Sequence, residues 1–132
     1  MQITRQADYA VRAVRYLAEM APGKRAATSL VASEQKIPPS FLAKIISQLS
    51  IAGLLHTSRG AKGGVSLAKP PEEITLLDVV ETIDGPILLN ECVADSHRCS
   101  FEDDCPLKPI WGEAQVALVE KLRSTNFGDL NR

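Results

Sequence analysis

Three cysteines fall within fourteen residues, spaced Cys92-x6-Cys99-x5-Cys105-Pro106. Thiolates are soft ligands that favour iron–sulphur clusters, zinc or copper(I). The segment around them has no helical or strand periodicity, so three sulphurs can converge without an element dictating their directions. A Pro after the last Cys also occurs in ferredoxin-type loops. The absence of a Cys-x-x-Cys pair argues against an ordinary zinc finger and a thioredoxin-type motif. The odd count argues against a simple disulfide framework. What remains is a metal or cluster centre, or thiols that are oxidised reversibly. His97 lies between the cysteines, and His56 falls in a β-prone run where a structural role is expected.

The second constellation is basic. The net charge of −1 over 132 residues hides an asymmetry. Residues 1–70 carry ten Lys or Arg against three acids, and residues 71–132 carry five against thirteen. Such a split suggests a surface for a polyanion on one part of the molecule. No apolar run approaches the roughly 20 residues that span a bilayer. The first residues lack the apolar core of a secretory signal, so the expected location is the cytoplasm. There is no nucleophile–base pair, P-loop or His-rich zinc set, so an enzyme is not expected.

These residues need elements to position them. The apolar spacing predicts a helix over 3–20, ended by Pro22-Gly23, and a short helix after Thr28 to about Gln35. Pro38-Pro39 breaks the chain before a third helix over about 39–52. Phe41, Leu42, Ile45, Ile46 and Leu49 form its expected buried face, with Ser40, Ala43, Lys44, Ser47 and Gln48 outward. Two β-prone runs then flank Arg59-Gly60-Ala61-Lys62-Gly63-Gly64, a hairpin with Arg59 and Lys62 at its tip. A helix over 76–83 follows, with Thr75 and Asp78 as a capping-box variant. A last helix over about 107–124 places Leu107, Trp111, Ala114, Leu118 and Leu122 on one stripe. The expected fold is mainly α: a winged helix-turn-helix domain with a small β-hairpin wing over 1–70. A second part, 71–132, holds the short helix, the cysteine loop and the long C-terminal helix. A helix fits the major groove, and a cationic hairpin tip reaches phosphates or the minor groove.

An ordered series of motifs adds to this reading. It comprises Asp8-Tyr9-Ala10-Val11-Arg12, Phe41-Leu42-x-Lys44-Ile45-x-x-x-Leu49, Ala52-Gly53-Leu54, Ser58-Arg59-Gly60-Ala61-Lys62-Gly63-Gly64, Ile83-Asp84-Gly85-Pro86 and Phe127-Gly128-Asp129-Leu130. The series resembles the Rrf-type family of bacterial winged-helix transcription regulators. The resemblance implies a homodimer on a pseudo-palindromic DNA operator. It also implies that helix 39–52 is the recognition helix and that Arg59 enters the minor groove. In some members a Glu follows the aromatic–Leu pair and reads bases. Here Ala43 stands there, followed by Lys44, so their operator preference is not implied. Base readout and phosphate contact both stay open for Lys44.

In the family, three cysteines at this position hold an iron–sulphur cluster. The spacing here has one extra residue in the first interval relative to some members. One branch takes its fourth ligand from a His three residues after the last Cys, where this chain has Lys108. A nitric-oxide-sensing branch takes it from an Asp on the first helix of the partner subunit, which matches Asp8. His97 is the alternative. By resemblance [4Fe–4S] is favoured over [2Fe–2S]. The C-terminal stripe reads as a dimerisation helix with Trp111 as anchor, although it could pack on its own domain. The function implied is a repressor whose operator binding is controlled by a cluster sensing nitric oxide, iron or redox state. The alternative is a cysteine thiol-switch regulator without a cluster.

Overall fold

In the computed structural model, which describes residues 2–60, 63–89 and 105–131, the first apolar stripe builds α1 over Arg5–Ala18. Thr4 starts it: its side-chain oxygen accepts from the amide of Ala7 at 3.1 Å, satisfying a donor that every helix start leaves open. Ile3 therefore lies outside the helix and is exposed. Ala7, Ala10, Ala13, Val14 and Leu17 are buried.

Helix α2 spans Thr28–Gln35. Thr28 is its first residue rather than its cap, and Ala27 holds the cap position without a side-chain bond. Lys36 then turns left-handed at φ 54°, which reverses the chain toward Pro38. Helix α3 spans Pro39–Ile51 with Pro39 in its first turn, where a missing amide costs nothing. Leu42, Ile45, Ile46 and Leu49 are buried. Phe41, expected among them, is 43% exposed. Its ring instead sits tilted against Tyr9 of α1, with centroids 6.2 Å apart.

Strands β1 (Leu55–Ser58) and β2 (Gly64–Leu67) pair antiparallel, Leu55 with Leu67 and Ser58 with Gly64. Ala26 adds an isolated bridge to β2: its amide donates to the Val65 carbonyl at 3.0 Å and its carbonyl accepts from the Val65 amide at 2.8 Å. His56, expected to be structural, is exposed on β1.

A 3-10 turn over Pro71–Glu73 leads to α4, Leu76–Asp84, which carries the reciprocal Thr75–Asp78 capping box. Among the described residues two further helices follow, α5 over Lys108–Arg123 and α6 over Phe127–Leu130. No described helix is long and apolar enough to cross a membrane.

The core crosses residue 70. Fully buried Phe127 joins Ile74 and Val79 in the same cluster as Val14, Leu42, Ile45, Leu49 and Val65. Backbone bonds hold it there, from Phe127 to Ile74 at 3.0 Å and from Leu76 to Thr125 at 2.9 Å. A smaller cluster of Leu77, Val80 and Ile87 packs against Leu118, Val119 and Leu122 of α5. Asp84 closes the base of α1, accepting from the Thr4 amide at 3.2 Å and from the Thr4 hydroxyl.

Candidate nucleic-acid interface and cysteine site

Burying Leu42, Ile45, Ile46 and Leu49 leaves one row of α3 facing outward. Ser40, Ala43, Lys44 and Ser47 are all exposed on it, at the three- and four-residue spacing of a helix surface. Lys44 is the one charged residue of α3. Gln48, expected outward, is only partly exposed, and its Oε1 is buried without a hydrogen-bond partner.

Arg59 follows β1 directly and is exposed. The turn beyond it depends on glycine. Gly60 has φ 101°, and the Gly63 amide bonds the Gly60 carbonyl at 2.9 Å. A Cβ on Gly63 would run into the Ser58 carbonyl. Lys62 lies outside the described residues.

Arg25 was not legible as part of this surface. Its Nη1 donates to Ser58 Oγ at 2.9 Å, bracing the strand residue that precedes Arg59. The sequence shows it only as one of ten basic residues in the first half. The bridge between Ala26 and Val65 brings it to the wing.

Asp8 is exposed on α1 and accepts from Arg12 Nε at 3.0 Å. It borders a polar hollow lined by Arg5, Tyr9, Arg12, Glu34, Gln35 and Lys36. Because Tyr9 touches Phe41, the residue beside Asp8 contacts the start of α3. Cys105 is a half-buried free thiol just before α5. Cys92, Cys99 and His97 lie outside the described residues. Among the described residues no three Cys, His, Asp or Glu side chains converge on a point.

The C-terminal stripe divides. Leu118 and Leu122 pack on α4 of their own chain. Leu107, Trp111 and Ala114 are exposed, as are Ile110 and Val116, the latter at 69%.

Comparison with known proteins gives a consistent result. A family model described as Rrf2, iron-dependent transcriptional regulator, matches residues 3–132. The HTH-type transcriptional regulator NsrR of Shouchella clausii (strain KSM-K16) is 34% identical over 131 residues, covering 98% of this chain and 88% of its own. The structure of CymR, the global cysteine regulator of B. subtilis, matches with a TM-score of 0.84 at 27% identity, covering 98% of this chain and 95% of its own. IscR of T. potens shares the fold, with a TM-score of 0.79 at 24% identity over 98% of this chain and 85% of its own.

Proposed function

The chain belongs to the Rrf2 family of transcriptional regulators, and from that premise we propose a homodimeric repressor that acts in the cytoplasm on a pseudo-palindromic operator. The exposed row Ser40, Ala43, Lys44 and Ser47, with Arg59 exposed on the wing, carries this reading. The row would enter the major groove, while Arg59 and Lys62 take the minor groove and phosphates. Leu107, Trp111 and Ala114 would face the partner, continuing a stripe that Leu118 and Leu122 anchor to α4. Enrichment of one duplex from a random library by the purified protein tests the DNA reading.

Control of binding is assigned to an iron–sulphur cluster on Cys92, Cys99, Cys105 and the partner protomer's Asp8, [4Fe–4S] rather than [2Fe–2S]. The donor set fits, since thiolates suit such clusters and the Asp8 carboxylate is exposed, held only by the surface pair with Arg12. When bound, the cluster supplies a centre reactive toward nitric oxide and redox change. Asp8 would exchange Arg12 for that ligation and so tie α1 of one protomer to the cysteine segment of the other. Tyr9 lies against Phe41 at the start of α3, so a displaced α1 would shift that end of the helix. A dimer reads two half-sites at fixed spacing, so a small shift of one head weakens binding. His97 is the substitute ligand. Iron and sulphide near four per monomer in protein purified without air are expected. About two of each would favour [2Fe–2S] instead.

The half-buried free thiol of Cys105 and the likeness to CymR favour a second reading, a thiol switch without a cluster. Iron-free protein with three titratable thiols would select it.

A further inference from the structure

We propose that α3 selects its operator by a guanine contacted through Lys44 and an adjacent thymine contacted through Ala43. This rests on the proposed DNA-binding role of α3 and adds which bases it reads. From Ser40 to Ser47 the helix rises about 10 Å, or about three base-pair steps. Within that span the side chains offer a restricted chemistry. Lys44 is exposed, and among the described residues it has no ion-pair partner. Its ammonium group brings donors only, and guanine is the base that presents two acceptors, O6 and N7, in the major groove.

The other bases lack a match. Cytosine presents a donor at N4 and needs an acidic acceptor, and α3 contains no Asp or Glu. Adenine is read by an amide that donates and accepts together. Gln48 is the one amide side chain on α3; it is only partly exposed, and its Oε1, the acceptor that such a pairing needs, is buried. The hydroxyls of Ser40 and Ser47 donate or accept and so discriminate little. Ala43 is a small exposed methyl beside Lys44, suited to the C5-methyl of thymine. With the Gln48 acceptor buried, the exposed row favours G and T.

The test uses the full chain purified without air and the duplex it enriches from a random library. That half-site should hold a guanine with a thymine next to it. Exchanging the guanine for adenine should weaken wild-type binding about 5- to 100-fold. Replacing it by 7-deazaguanine, which lacks the N7 acceptor, should weaken binding several-fold, and uracil for thymine a few-fold. Lys44→Ala should become indifferent to the guanine analogue while still responding to changes at other positions. A Lys44→Ala protein weakened equally on every duplex, with a salt slope lowered by about one, would make Lys44 a phosphate contact and overturn the proposal. A selected half-site without guanine overturns it also. Failure to bind any duplex would instead overturn the DNA-binding reading on which it rests.

Discussion

Arg59 and Asp8 are exposed side chains in very different company. Arg59 projects from the edge of a hairpin that Arg25 and Ala26 brace from outside. Arg59→Ala should lower specific operator affinity at least about tenfold in a gel shift, as expected for loss of a groove contact. Lys62→Ala should mainly reduce the salt slope, by about one. An unchanged operator affinity for Arg59→Ala would remove the wing from the interface. Asp8 is paired with Arg12 on the surface, and such pairs add little to stability. Asp8→Ala should therefore melt like the wild type, yet lose iron and sulphide on purification. Full cluster content and full DNA affinity in that variant would leave Asp8 as a surface ion pair only.

Elements set where those side chains can be. The wing approaches its support so closely that Gly64 has no room for a side chain. A Cβ there would lie 2.5 Å from the Ala26 carbonyl, at φ 152°. Gly64→Ala should cost about 1–3 kcal/mol in urea unfolding and weaken operator binding by displacing Arg59. The start of α4 depends on Thr75, whose hydroxyl accepts from the Asp78 amide at 3.1 Å while Asp78 accepts from the Thr75 amide at 3.0 Å. Thr75→Ala should cost about 1 kcal/mol without altering the affinity for DNA, because neither Thr75 nor Asp78 belongs to the proposed row on α3 or to the wing. The motif Ile83-Asp84-Gly85-Pro86 also gains a reason. Asp84 accepts from Thr4 at the start of α1, where a helix dipole favours negative charge.

At the scale of the molecule, one core joins the reading head to the chain's far end. Phe127 fills it from α6, so Phe127→Ala should cost about 3–5 kcal/mol and loosen α1, α3 and α4 together. The long helix α5 differs along its length. Its Leu118 and Leu122 hold α4, while Trp111 and Ile110 stay uncovered in the single chain. Buried aromatics dominate interface energies. Trp111→Ala should shift sedimentation from dimer to monomer and leave the head able to bind single half-sites weakly. Leu118→Glu should instead destabilise the protomer as well, because it charges a side chain packed on α4. A Trp111→Ala protein that still sediments as a full dimer would place the interface elsewhere.

The sequence alone determined the order and type of the main elements up to the long C-terminal helix, because apolar periodicity, Pro38-Pro39, Thr75 and the glycine-rich turn are local signals; the short turn over Pro71–Glu73 and the helix over Phe127–Leu130 carry no such signal. It also determined the outward placement of Ser40, Ala43, Lys44 and Ser47, since burying Leu42, Ile45, Ile46 and Leu49 fixes the opposite side of a helix. The tertiary structure alone decided the rest. Phe41 is apolar but lies on Tyr9 outside the core, and Gln48 is polar but only partly exposed with its Oε1 buried, because neighbouring helices compete for the margins of a helical face. Arg25 reaches the wing through strand pairing 39 residues away, at Ala26 and Val65. The C-terminal stripe split because only its second half meets an apolar patch on α4. Periodicity reports that a face is apolar; contacts between distant segments decide what covers it.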